Sequence, residues 1–172
     1  MALVEWRTLE GVTHLTLNRP EALNAMSWEM AAQFRAACAR VAREKSKVVV
    51  VSGAGSAFSA GGDLGFIEDN MKRPKAALRR RMELFYRSFL AVRELPQVTV
   101  AQVHGTAVGA GLCLALACDL RAVLASAKLG FNFVRLGLNP GMAAWPLARA
   151  SKSKRRRSPR LGRRVGLRRH AR

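Results

Sequence analysis

Two glycine-rich stretches hold the residues best placed for chemistry in this chain. "SAGGDL" occupies residues 59–64 and "GTAVGAG" occupies residues 105–111. Each follows an apolar run and precedes a segment expected to be helical. Glycine reaches backbone angles closed to other residues and lets a ligand approach the main chain. A helix start presents N–H groups without partners and the positive end of the helix dipole. Two such starts, brought together, would hold an oxygen that gains negative charge during reaction. The plainer reading is that the glycines only permit tight turns between strand and helix. A dinucleotide fingerprint fits poorly, because Gly109-Ala110-Gly111 is followed three residues later by Leu114. No Lys-Ser or Lys-Thr closes either loop, so the phosphate-binding P-loop pattern is absent.

Few side chains compete with these amides for a role. Cys38, Cys113 and Cys118 form no CxxC pair, and no histidine stands at metal-ligand spacing from them. Three cysteines without a secretion signal argue against a disulfide framework, so all three read as small buried apolar residues and no metal site is expected. His14, His104 and His170 are scattered and read as structural or exposed. Asp63 reads as a helix cap, Asp119 as a junction from helix to strand, and Glu68 and Asp69 as solvated surface. No Asp or Glu follows Asp119.

The elements that must position the loops follow from periodicity. "LVEWRTL" and "VTHLTLN" flank Glu10-Gly11 and predict a hairpin. Ser27 caps a helix whose apolar stripe is Ala31, Phe34, Cys38 and Val41. "KVVVVS" (47–52), "VTVAQV" (98–103) and "LRAVLAS" read as strands buried on both faces, with "GAGSAFSAGGDL" as a loop after the first. Pro74 opens a long helix with the stripe Leu78, Met82, Phe85, Phe89 and Val92, closed before Pro96. "FNFVRLGLNPGM" reads as loop and "AAWPLARA" as a weak helical start. Strands alternating with helices indicate an α/β layered fold.

The blocks "LTLNRPEALNAMS", "FSAGGDL", "VAQVHGTAVGAGLCLALACDLRAVLASAKLGF" and "RLGLNPGMA" carry a resemblance. In order, spacing and content, over residues 3–149, they resemble the successive blocks of the crotonase (enoyl-CoA hydratase/isomerase) superfamily. The resemblance implies a crotonase-like (ClpP/crotonase) layered ββα spiral, here its N-terminal core, over residues 1–150. It implies that the backbone N–H groups of Ala60 and Ala110 form an oxyanion hole for a coenzyme A thioester carbonyl. The coenzyme would lie along residues 19–25 and 60–64, with Ala22, Ala60, Gly61, Gly62, Asp63, Leu64 and Ala110 as its contacts. Coenzyme A enters as part of the acyl-CoA substrate, and no separate cofactor is implied. Family hydratases use two glutamates to move protons and position water. The matching positions hold Cys113 and Phe133, neither of which does carboxylate chemistry at neutral pH. A first-turn position would lower the pKa of Cys113, and burial would raise it. Isomerases of the family place the acid elsewhere in the block ending "LNPGMA", where this chain has none. The expectation is an acyl-CoA enolate stabiliser of hydratase/isomerase type, with a noncatalytic thioester binder or inactive family member as the alternative.

Charge divides the chain at Ser151. Residues 151–172 hold 11 of the 30 Lys and Arg and no acid, leaving +8 of the net +19 on the first 150 residues. Four scattered apolar side chains cannot offset the entropy of ordering this segment, so a disordered basic tail is expected. The family continues past "PLARA" through helices that cover the acyl pocket and build a trimer. Residues 151–172 do not resemble them, which argues against the family homotrimer or hexamer. An acid-free string of Arg, Gly, Pro and Ser is what an out-of-frame reading of GC-rich coding sequence gives. A frameshifted or truncated product is therefore expected, with a true tail that binds nucleic acid as the alternative. No aromatic residue is interleaved to stack on bases, so such binding would be nonspecific. No apolar run approaches the ~20 residues that span a bilayer, and "MALVEWRTLE" lacks signal-peptide character, so a cytoplasmic protein is expected.

Overall fold

The computed structural model describes residues 2–133 and Met142. The first hairpin pairs β1 (Val4–Leu9) with β2 (Val12–Leu17), antiparallel, around a turn in which Glu10 and Gly11 both have positive φ. Ser27 then starts α1 (Trp28–Val41), its hydroxyl accepting from the Met30 N–H at 3.2 Å. Met30, Ala31, Phe34, Ala37, Cys38 and Val41 form the buried stripe of that helix.

Two ββα repeats follow. The first is β3 (Val48–Gly53), β4 (Ala57–Ser59) and α2 (Leu64–Met71), extended by α3 (Lys75–Leu90). The second is β5 (Val98–Val103), β6 (Thr106–Val108) and α4 (Ala110–Ala117). β7 (Leu120–Val123) and β8 (Leu129–Gly130) begin a third turn. The first strand of each turn joins a five-stranded sheet of order β1-β2-β3-β5-β7, parallel beyond the hairpin. The second joins a three-stranded parallel sheet of order β4-β6-β8. Each turn of the chain therefore climbs both sheets by one strand, which is the layered spiral expected of this family.

The core lies between the larger sheet and α1 and α3, where Leu15, Leu17, Val49, Val51, Phe34 and Phe89 are fully buried. α4 is apolar all round and is buried accordingly, with Leu114 and Cys113 at 0% exposure. No described helix is long and apolar enough to cross a membrane.

Five sequence expectations are corrected. The loop after β3 contains β4, and the glycine turn after β5 contains β6. Both are three-residue strands, too short to show a period of two. β3 alternates between buried and half-buried residues, and β5 between buried residues and half-buried or exposed ones, so only one face of each is fully covered. β7 was expected to be buried, but it lies at the edge of the described sheet with Leu120 and Val123 about half exposed. Apolar content alone does not distinguish an edge strand from a central one. The expectations for "RLGLNPGMA", "AAWPLARA" and residues 151–172 fall, apart from Met142, outside the described residues.

Candidate active site

The first glycine loop is held by the segment before α1. Asn24, fully buried at φ +56°, binds that segment to β4. Its Nδ2 donates to the carbonyls of Ala54 and Ala57, both at 2.8 Å, and its Oδ1 accepts from the Arg19 N–H at 2.9 Å. Ser59 donates its hydroxyl to the Asn24 carbonyl at 2.8 Å and accepts from the Gly61 N–H at 3.2 Å.

Backbone pairing then decides which amide of the loop is free. The Ala60 N–H, expected to be one of the two donors, is instead taken up, donating to the Leu23 carbonyl at 2.9 Å. Met26 N–H donates to the Gly61 carbonyl at 2.7 Å, and Asp63 N–H donates to the Met26 carbonyl at 3.1 Å. These two bonds make a parallel bridge between Met26 and Gly62, which directs the Gly62 N–H away from Met26. It has no acceptor among the described residues.

The second loop leaves its amide free by helix geometry. Gly109 caps α4, and the first intrahelical bond runs from the Cys113 N–H to the Gly109 carbonyl at 3.1 Å. The Ala110 N–H, in the first turn, has no intrahelical acceptor. The loops abut through Gly61 (φ +94°). A Cβ there would lie 2.7 Å from the Val108 carbonyl oxygen and 3.4 Å from the Ala110 nitrogen, so only glycine fits.

Ala60, Gly62 and Ala110 border one cavity of about 640 Å³. Ala22, Ala25, Asp63 and Leu64 line it at one side, and Ile67, Leu78, Met82, Phe85, Tyr86 and Phe133 form an apolar wall. Six of the seven expected contact residues are brought together there. The seventh, Gly61, is absent from the lining, its N–H and carbonyl being held by Ser59 and Met26.

Among the described residues, the titratable groups around the cavity are held by partners, buried or turned to the surface. Asp63 caps α2 by accepting from the Phe66 N–H at 3.0 Å, and its other oxygen pairs with Arg19 at 2.7 Å. Burial would raise its pKa, but the Phe66 amide and the Arg19 guanidinium outweigh burial and hold the carboxyl below its usual range. Burial pushes the Cys113 thiol up to about 12, so the reading of a thiol activated by the first helical turn fails. Cys38 and Cys118 are likewise buried, unpaired, and pushed up to about 12 by burial. Burial, and then the Cys113 thiol, raises the Tyr86 phenol, which stays protonated at neutral pH. Glu68 is exposed, and Asp69 is held by Arg73 at 2.9 Å and Arg81 at 3.7 Å, so both lie on the surface. Asp119 accepts from Thr99 N–H and hydroxyl, at 2.9 and 2.8 Å, at the junction of α4 and β7.

Sequence reasoning missed Asn24, Ser59 and Asn70. Asn24 carried a signal, since asparagine after a proline turn is among the residues most tolerant of positive φ. Ser59 carried none. Asn70, 3% exposed and lining the cavity, follows the charged pair Glu68-Asp69 and gave no signal beyond its weak helix propensity.

Comparison with known proteins identifies the family. The family model described as "Enoyl-CoA hydratase/isomerase" matches residues 7–161. The Mycobacterium tuberculosis protein named "Probable enoyl-CoA hydratase EchA14" is 43% identical over 141 residues, covering 81% of this chain and 54% of its own length. The 1,2-epoxyphenylacetyl-CoA isomerase of Escherichia coli K12 is 37% identical over 145 residues, covering 83% and 55%. The chain thus spans about half the length of these curated relatives. Pseudomonas aeruginosa AtuE superposes with a TM-score of 0.79 at 31% identity, over 89% of this chain and 61% of that one. A Thermobifida fusca YX relative solved in complex with acetoacetyl-CoA gives 0.71 at 30% identity, over 90% and 64%. Two climbing sheets, two abutting glycine loops and a match over most of its length have one reading: the chain belongs to the enoyl-CoA hydratase/isomerase (crotonase) family.

Proposed function

We propose that the chain binds an acyl-CoA thioester and stabilises its enolate, the carbonyl oxygen accepting from the N–H groups of Gly62 and Ala110. The observation that carries this reading is that two amides without an acceptor among the described residues, on two abutting loops, border one cavity. A thioester makes the neighbouring C–H acidic, and its oxygen gains charge as that bond breaks. Fixed amide dipoles beside an apolar cavity stabilise such charge far better than water does. The coenzyme portion runs along residues 19–25 and 60–64, and the acyl group enters between α2 and α3. The acetoacetyl-CoA bound by the Thermobifida relative supports the ligand class. The test is titration with acetoacetyl-CoA, following heat and the ultraviolet absorbance of its enolate. Saturable binding with increased enolate absorbance is expected, and absence of binding sinks the reading.

Noncatalytic thioester binding is the second reading, favoured by Cys113 and Phe133 at the positions where the resemblance puts glutamates. The one carboxylate among the described lining residues, Asp63, is engaged by Arg19. Hydration of crotonyl-CoA should then stay far below the ~1–10³ per second of ordinary enzymes. Hydration at such rates would overturn this second reading, and Glu68→Gln and Asp69→Asn would locate the acid.

A further inference from the structure

Tyr86 is the only tyrosine in the chain, and it stands on α3 in the wall of the cavity. Its ring is half-buried and meets the Phe85 ring edge-on, with centroids 6.0 Å apart. Its hydroxyl makes no hydrogen bond among the described residues, yet it is not sealed in the core as Asn70 Oδ1, Arg81 Nε and Gln97 Oε1 are. α3 packs against α4, and the Cys113 thiol of α4 is near enough to act on the phenol. That neighbour sets the direction, turning the phenol toward α4. Cys113 lies one turn beyond Ala110, on the same side of α4. The phenol therefore approaches the end of the cavity where the thioester carbonyl is proposed to sit.

Resting on the thioester reading above, we infer that Tyr86 is the acid–base group of this cavity, moving the proton on the carbon next to the thioester carbonyl. The phenolate oxygen takes the α-hydrogen as a proton, and the C–H electron pair passes into the enolate. The enolate oxygen is held by the Gly62 and Ala110 amides. The phenol then returns the proton to the same carbon, which gives exchange. Where the acyl chain has a β,γ double bond, it returns the proton to the γ-carbon and the double bond moves into conjugation. The proton count closes without a co-reactant.

Burial and the Cys113 thiol keep most of the phenol protonated at neutral pH. Of the described charged and titratable side chains, only that thiol bears on it; Glu83 and Arg87 on α3 pair with each other, as do Asp63 and Arg19. The rate should then climb with the phenolate fraction, about tenfold per pH unit until the phenol has ionised. The plain alternative is that Tyr86 only packs, with water on its hydroxyl. A packing role would leave proton transfer untouched by Tyr86→Phe.

The test follows 3-butenoyl-CoA with the full chain in deuterated water by proton NMR, from neutral to alkaline pH. Exchange of its α-hydrogens and conversion to crotonyl-CoA should exceed the rates without protein. Tyr86→Phe should slow both by about 10²-fold or more while acetoacetyl-CoA still binds. Because the chain has one tyrosine, growth on 3-fluorotyrosine replaces Tyr86 alone and makes its phenol more acidic. Absorbance titration reads the new ionisation, and the exchange profile should move to lower pH with it. Exchange that persists in Tyr86→Phe overturns the inference, and so does a profile that ignores the fluorinated phenol. A thioester that binds without exchange also overturns it, and in these three outcomes the thioester reading stands. If Tyr86→Phe does not fold, the fluorinated chain decides. If no thioester binds, that reading falls and this inference with it.

Discussion

The two glycine loops reach the same result, an amide without a partner, by different routes. In residues 105–111 the amide is orphaned locally, because Ala110 opens α4 and a helix cannot satisfy its first N–H groups. In residues 59–64 the local sequence leaves several amides open, and a distant segment chooses among them. Leu23 takes Ala60, and the Met26 bridge turns Gly62 outward. A donor made by helix geometry can be read at short range, and one left over from strand-like pairing cannot.

The sharpest way to break this comparison is to remove each amide in turn with proline. Ala110→Pro falls at the first helical position, where proline is tolerated and the N–H had no helical acceptor. It should leave thermal unfolding nearly unchanged. Exchange of the acetoacetyl-CoA α-hydrogens in deuterated water should slow by about 10²–10³-fold, as for removal of an oxyanion donor. Exchange at an undiminished rate would show that Ala110 is not a donor.

Asn24→Ala tests the clamp that makes the first loop depend on distant residues. Three hydrogen bonds are lost and alanine is left at φ +56°, so a loss of about 3 kcal/mol in urea unfolding is expected. A loss under about 1 kcal/mol would mean the clamp is dispensable.

Ala60→Pro is the counterpart of Ala110→Pro. It deletes an amide occupied by Leu23, and the expected effect is about 2 kcal/mol of stability. If it instead abolished exchange in a chain of unchanged stability, the assignment of the two amides of this loop would be reversed.

The smallest effect concerns Asp63. Its folded pKa is lowered, so the stability it contributes is present above about pH 4 and is lost as pH falls through the lowered value. Asp63→Asn keeps a capping oxygen and loses the Arg19 pair. It should cost about 1 kcal/mol at neutral pH, and the difference should vanish in acid. A difference independent of pH would assign the effect to the cap alone.

Much of the architecture was legible in the chain. The hairpin, the Ser27 cap and the stripes of α1 and α3 follow from periodicity and capping, and the existence of β3 and β5, though not their one-sided burial, from their β-branched runs, all of which act over a few residues. The four motif blocks located the two loops, and six of the seven expected contact residues share the cavity. β4 and β6 were hidden because three residues show no period. Exposure of β7 was hidden because it depends on which strand lies beside it.

The sequence by itself determined that two glycine loops precede helices, that Asp63 caps one of them, and that no acid stands at 113 or 133. Only tertiary structure decided which amides stay free. Each backbone N–H takes the acceptor nearest to it in space, and for Ala60 that acceptor lies 37 residues away at Leu23. Cys113 is the same lesson in a side chain. A helix start lowers a thiol's pKa and burial raises it, and the packing around α4 decided that burial prevails.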